Sequence, residues 1–64
     1  MLERVLEIAK KYQEGNVAEI SFKIIELLGE CKTKEEMENT KQEIMKELKI
    51  NSQQFVYLLM IGIA

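Results

Sequence analysis

Ile50-Asn51-Ser52-Gln53-Gln54-Phe55-Val56-Tyr57-Leu58-Leu59-Met60-Ile61-Gly62-Ile63 is the stretch on which the fold class turns. Its second half is rich in β-branched and aromatic residues that suit a buried strand as well as a helix, and hydrophobic periodicity does not separate the two. The residues in front of it do. Asn51 and Gln54 have the spacing of a capping box, in which each side chain accepts the other's backbone N–H, and Ile50 and Phe55 have the spacing of a hydrophobic staple. A single strand would also lack a pairing partner in an otherwise helical chain, unless two copies met edge to edge. The expectation is a helix over residues 52 to 62.

The segment before it starts with Thr33-Lys34-Glu35-Glu36, a capping box of the S/T-x-x-E kind. Glu35, Glu36 and Glu38 near its start and Lys46 and Lys49 near its end complement the helix dipole. A helix over 34 to 49 is predicted, apolar only along Met37, Ile44, Met45 and Leu48, and therefore a surface helix that covers the core with a thin stripe. In residues 2 to 14, Leu2, Val5, Leu6, Ile8, Ala9 and Tyr12 share one arc of a helical wheel, and Glu7 precedes Lys11 by four residues, the spacing of a surface pair. Gly15 offers a left-handed stop, and Asn16 with Glu19 repeats the box pattern. The helix expected over 17 to 28 carries Val17, Ala18, Ile20, Phe22, Ile24, Ile25, Leu27 and Leu28 around most of its wheel, with a narrow polar strip of Glu19, Lys23 and Glu26, so it should be central. The predicted fold is all-α, one domain over residues 1 to 64: a small four-helix bundle of two helical hairpins.

A chain of 64 residues with 9 Lys and Arg against 11 Asp and Glu has a net charge of −2. At this length folding buries only about 60% of the surface of the unfolded chain, so oligomerisation or a partner is a common source of added stability. The charged N-terminal stretch lacks the apolar run of a secretory signal, and Phe55 to Ala64 is too short to span a bilayer, which needs roughly 20 residues. A cytoplasmic protein without membrane association is expected.

The residues exclude several chemistries. Without histidine there is no His general base and no Ser-His triad. One cysteine allows no internal disulfide, and together with the missing histidines it rules out the common zinc ligand sets within one chain. Gly15, Gly29 and Gly62 stand alone at expected helix ends, with no phosphate-cradling glycine motif, and no Asp-Ser-Leu is present to carry a phosphopantetheine arm. Cys31, in a turn with Lys32 and Lys34, reads as an incidental free thiol. Of the methionines Met1, Met37, Met45 and Met60, the middle two read as core filler. No enzyme, catalytic residue, metal, cofactor or small-molecule substrate is expected.

Ile44, Leu48, Ile50, Phe55 and Leu58 have the spacing at which a helix-turn-helix buries its apolar positions, and residues 44 to 58 resemble that motif as found in many bacterial and phage regulators. In that family the first helix usually has a small residue where Met45 stands, and the turn a glycine where Lys49 stands. The resemblance implies a dimeric DNA-binding regulator touching DNA through Lys46, Lys49, Ser52 and Gln53. The second helix departs from it. With Phe55, Leu58, Leu59 and Gly62 inward, the outward residues are Gln53, Val56, Tyr57, Met60 and Ile63, whereas a recognition helix presents polar or basic side chains to the groove. Together with the acidic balance, this disfavours nucleic acid as a partner. An apolar outer face of this kind calls for a cover. The function expected first is therefore a non-catalytic protein-protein interaction module of regulatory type, an adaptor, inhibitor or antirepressor, that self-associates as a homodimer or docks another protein through Val56, Tyr57, Met60 and Ile63. If helix one or helix three covers that face instead, part of helix two is left exposed.

Overall fold

The computed structural model describes residues 2 to 63, with the side chain of Leu2 outside the described set, so the positions expected for Leu2, Met1 and Ala64 lie beyond it. Four helices follow one another: α1 (Leu2–Gln13), α2 (Val17–Gly29), α3 (Lys34–Leu48) and α4 (Ser52–Ile63). Their ends fall within one residue of the predicted ones. No helix among the described residues is long and apolar enough to cross a membrane.

The turns explain where the helices stop. After α1, Gly15 takes φ 84°, its N–H donates to the Tyr12 carbonyl at 3.1 Å, and the Asn16 N–H donates to the Lys11 carbonyl at 3.1 Å. This is the paired bonding of a Schellman cap. The same pattern closes α3, where the N–H groups of Lys49 and Ile50 donate to the carbonyls of Lys46 and Met45. Here the left-handed residue is Lys49, at φ 58° and ψ 45°. A non-glycine residue thus takes a conformation that favours glycine, at a steric cost of about 1 to 2 kcal/mol.

At the start of α4 the Asn51 N–H donates to Gln54 Oε1 and the Gln54 N–H to Asn51 Oδ1, both at 2.9 Å, which completes the capping box. At α3 the Glu36 N–H donates to Thr33 Oγ1 at 3.1 Å, but the Glu36 carboxylate accepts from the Lys32 N–H rather than from that of Thr33. Asn16 makes no side-chain cap bond at all. The partner expected for it, Glu19, reaches instead to Lys11 across the α1–α2 hairpin.

α2 is central: it packs most extensively on α4, then on α1, and touches α3, while α3 rests mainly on α1. The helices of the second hairpin thus make their main contacts across to the first. Every helix contributes to the core: Val5 and Ile8; Ile20, Ile24 and Leu27; Ile44, Met45 and Leu48; Phe55 and Leu58. Leu6 and Met37, expected on inward faces, are exposed. The buried positions of α3 are Thr40, Ile44, Met45 and Leu48; Met37 lies on the same face as Ile44, two turns earlier, but in the first turn of the helix, ahead of the buried stretch.

Two contrasting seams hold α2. Against α1 it is laced by exposed ion pairs: Arg4 with Glu26 at 3.1 Å and with Glu30, Glu7 with Lys23 at 3.3 Å, and Lys11 with Glu19 at 3.2 Å. The within-helix pair expected of Glu7 and Lys11 gives way to these, because the antiparallel hairpin places opposite charges face to face. A hydrogen bond from the Arg4 guanidinium lowers the Glu30 pKa, with the Arg4 charge adding to it against the opposing effect of partial burial. Against α4 the seam is apolar and close. The fully buried Ser21 hydroxyl donates to the Leu58 carbonyl. A Cβ on Gly62 would overlap Ser21 Oγ and lie 2.9 Å from Ile25 Cδ1. Gly62 is therefore a close-contact residue inside α4 and not a helix terminator.

Candidate functional site

α4 carries no charged residue, and neither does the approach to it, from Ile50 through Ile63. Its inward side is set by Phe55 and Leu58, both buried, with Leu59 and Gly62 half-buried. The 100° step of a helix then sends Val56, Met60 and Ile63, at spacings of four and three, along one outer stripe, with Tyr57 beside Met60. These side chains are left in solvent: Val56 is 50% exposed, Tyr57 66%, Met60 60% and Ile63 78%. Neither α1 nor α3 covers them. Part of α2 is open as well, with Phe22 63% and Ile25 37% exposed.

The outward turn of Phe22 and Ile25 was missing from the expectation for α2, whose apolar residues surround most of its wheel. No periodicity distinguishes which of them meet a neighbour when a helix is apolar on nearly every side. The signal that could have found them is Ser21, a small residue amid large ones: it marks where α4 sits, and so leaves Phe22 at the margin.

Tyr12, Val17, Gln53, Gln54, Tyr57 and Leu58 line an open groove of about 390 Å³ where the end of α1 and the start of α2 meet the first half of α4. A smaller depression between α1 and α2 is lined by Arg4, Glu7, Ile8, Lys23 and Glu26, whose charged members are already engaged with one another.

The residues assigned to DNA by the helix-turn-helix resemblance are all exposed: Lys46 in the last turn of α3, Lys49 in the connection, and Ser52 and Gln53 in the first turn of α4. Their cations stop at Lys49, so nothing basic follows along α4. Lys41, further up α3, is occupied by contacts with Glu38 at 4.0 Å and with the Phe55 ring, 6.0 Å from its centroid.

Cys31 is half-buried, its thiol 3.6 Å from the Leu27 carbonyl oxygen and 3.5 Å from Thr40 Oγ1. These contacts tie the α2–α3 turn to α3. Among the described residues no group of three or more Cys, Asp or Glu side chains converges. Comparison with protein-family models, with curated proteins and with solved structures gives no match.

Proposed function

We propose that this chain is a small, non-catalytic helical interaction module that self-associates through the outer face of α4, with Val56, Tyr57, Met60 and Ile63 as the contact residues. The observation that carries this is their joint exposure on a helix without a single charge. Each large apolar side chain removed from water contributes about 1.5 to 3 kcal/mol. A marginal 64-residue core gains most from such a contact. A regulatory role in the cytoplasm, as an adaptor, inhibitor or antirepressor of bacterial or phage origin, suits a module that can exchange its own copy for another helix face.

The test is the mass in solution. The wild-type chain is expected to sediment as a dimer, and Met60→Glu as a monomer with its helical circular dichroism retained. A two-fold contact repeats the substitution on both sides, so the dimer dissociation constant should rise by about a hundredfold or more. A wild-type chain that stays monomeric to millimolar concentration overturns the proposal.

A second reading, a dimeric helix-turn-helix regulator of transcription, draws on the tight left-handed connection at Lys49 and on the exposure of Lys46, Lys49, Ser52 and Gln53 around it. Binding of duplex DNA near 50 mM salt that weakens steeply as salt rises would favour it. A dimeric mass without such binding favours the first.

A further inference from the structure

We infer that the groove between Tyr12, Val17 and the first half of α4 is a binding site for an extended, proline-rich segment of another protein. The inference goes beyond the self-association proposed above and does not rest on it.

The groove follows from the direction of the helices. Ser21 meets Leu58 and Ile25 meets Gly62, so α2 and α4 run parallel and their first turns lie side by side at one end of the molecule. The tight turn at Gly15 brings the end of α1 to the same place. Tyr12, Val17, Gln53, Gln54, Tyr57 and Leu58 thereby enclose about 390 Å³, within the range of about 300 to 1,000 Å³ typical of ligand sites. Both tyrosines of the chain are gathered there, and it has no tryptophan. Neither phenol hydroxyl is hydrogen-bonded to another described residue. Gln54 Oε1 is taken by the Asn51 N–H, which leaves the Gln54 amide with its N–H groups to offer.

This lining selects among the recurring ways of holding a peptide. An added strand needs a sheet edge, and the described residues form helices only. A phosphorylated or acidic segment needs arginines or lysines, and no lining residue is charged. A docked helix satisfies its own backbone and asks for an apolar groove, whereas four of the six lining residues carry a hydrogen-bonding head. A polyproline II segment has the complementary needs. Its carbonyls have no internal partner, and each proline lacks an N–H, so it asks for neutral donors and flat aromatic faces. Two tyrosines and two glutamines supply both, around the apolar floor of Val17 and Leu58.

The experiment titrates the ¹⁵N-labelled full chain with a capped peptide of about nine prolines, roughly three turns of that helix, and follows the backbone amide resonances. Saturable shifts are expected, centred on the groove residues of α1, α2 and α4, with none from a capped Gly/Ser peptide of equal length. Tyr57→Ala is expected to raise the dissociation constant at least about tenfold, and Gln53→Ala about threefold, with helical circular dichroism as the check on folding. If Tyr57→Ala loses helix content, Tyr57→Phe replaces it, with the same expected direction. Met60→Glu, outside the groove, is expected not to weaken the peptide, so that peptide binding and self-association are read separately. No saturable shift with the proline peptide overturns the inference. Equal shifts from the Gly/Ser peptide, or an unchanged constant for the Tyr57 variant, overturn it as well. A chain that binds the peptide but stays monomeric removes self-association and leaves the groove assignment standing.

Discussion

In the first hairpin, α1 turns into α2 through Gly15 at φ 84°, and Asn16 then opens α2 without a side-chain cap. In the second, α3 turns into α4 through Lys49 at φ 58°, and Asn51 opens α4 with both bonds of its capping box. The local pattern is similar, a left-handed residue, then an Asn, directly after Gly15 but one residue further on after Lys49, and an acceptor side chain three residues beyond the Asn, but the two hairpins are held by different means. Among the described residues the ion pairs that cross between helices join α1 to α2. Glu19 is drawn into that lacing and lost to the cap. Gln54 has no such competitor. The second hairpin relies on its turn chemistry, and α4 is then held by close docking on α2 at Ser21 and Gly62. Here the charged Glu19 goes to the cation that the α1–α2 packing brings close, whereas the neutral Gln54 stays with the backbone.

The contrast breaks most readily at the docking of α4. Gly62→Ala gains helix propensity, about 1 kcal/mol, but forces its methyl group into the buried Ser21 hydroxyl and against Ile25. Overpacking should win, with a net loss of about 1 to 3 kcal/mol in urea unfolding at fixed protein concentration. The loss should shrink in a Ser21→Gly background, where the obstructing side chain is gone, and a strictly additive pair would show that the close contact is not the cause.

The two turns should then respond in opposite directions. Gly15→Ala puts a Cβ on a left-handed residue and costs about 1 kcal/mol or more, while Lys49→Gly relieves one and stabilises by up to about 1 kcal/mol. Denaturation midpoints that move the same way in both variants would mean that the two turns are not equivalent after all.

Smallest is the difference between the caps. Asn51→Ala removes an acceptor from the Gln54 N–H and should cost about 1 kcal/mol, while Asn16→Ala should change stability by a few tenths at most. Equal losses would show that the Asn16 side chain caps α2 in solution.

Much of this was legible in the residues. The capping box at Asn51 decides helix over strand for an apolar segment that periodicity leaves ambiguous, and the outward positions of α4 follow from Phe55 and Leu58 pointing inward. The helix-turn-helix spacing of Ile44, Leu48, Ile50, Phe55 and Leu58 also marks residues that do pack in or against the core. Less legible were positions whose role depends on a neighbour distant in sequence. Glu7 and Lys11 have the spacing of a pair and pair elsewhere. Gly62 looks like a stop and is a contact. Phe22, Ile25, Leu6 and Met37 are apolar residues that the packing of whole helices leaves exposed.

By itself the sequence determined that the chain is all-helical, where each helix begins and ends, and that its last helix bears no charge, because caps, turns and helical periodicity act over a few residues and are written in those residues. Only the tertiary structure decided which helices lie side by side, which apolar faces stay open and which charges find one another. Those outcomes depend on close packing between segments far apart along the chain, and at Ser21 and Gly62 the absence of a few atoms on one helix sets where the other can rest.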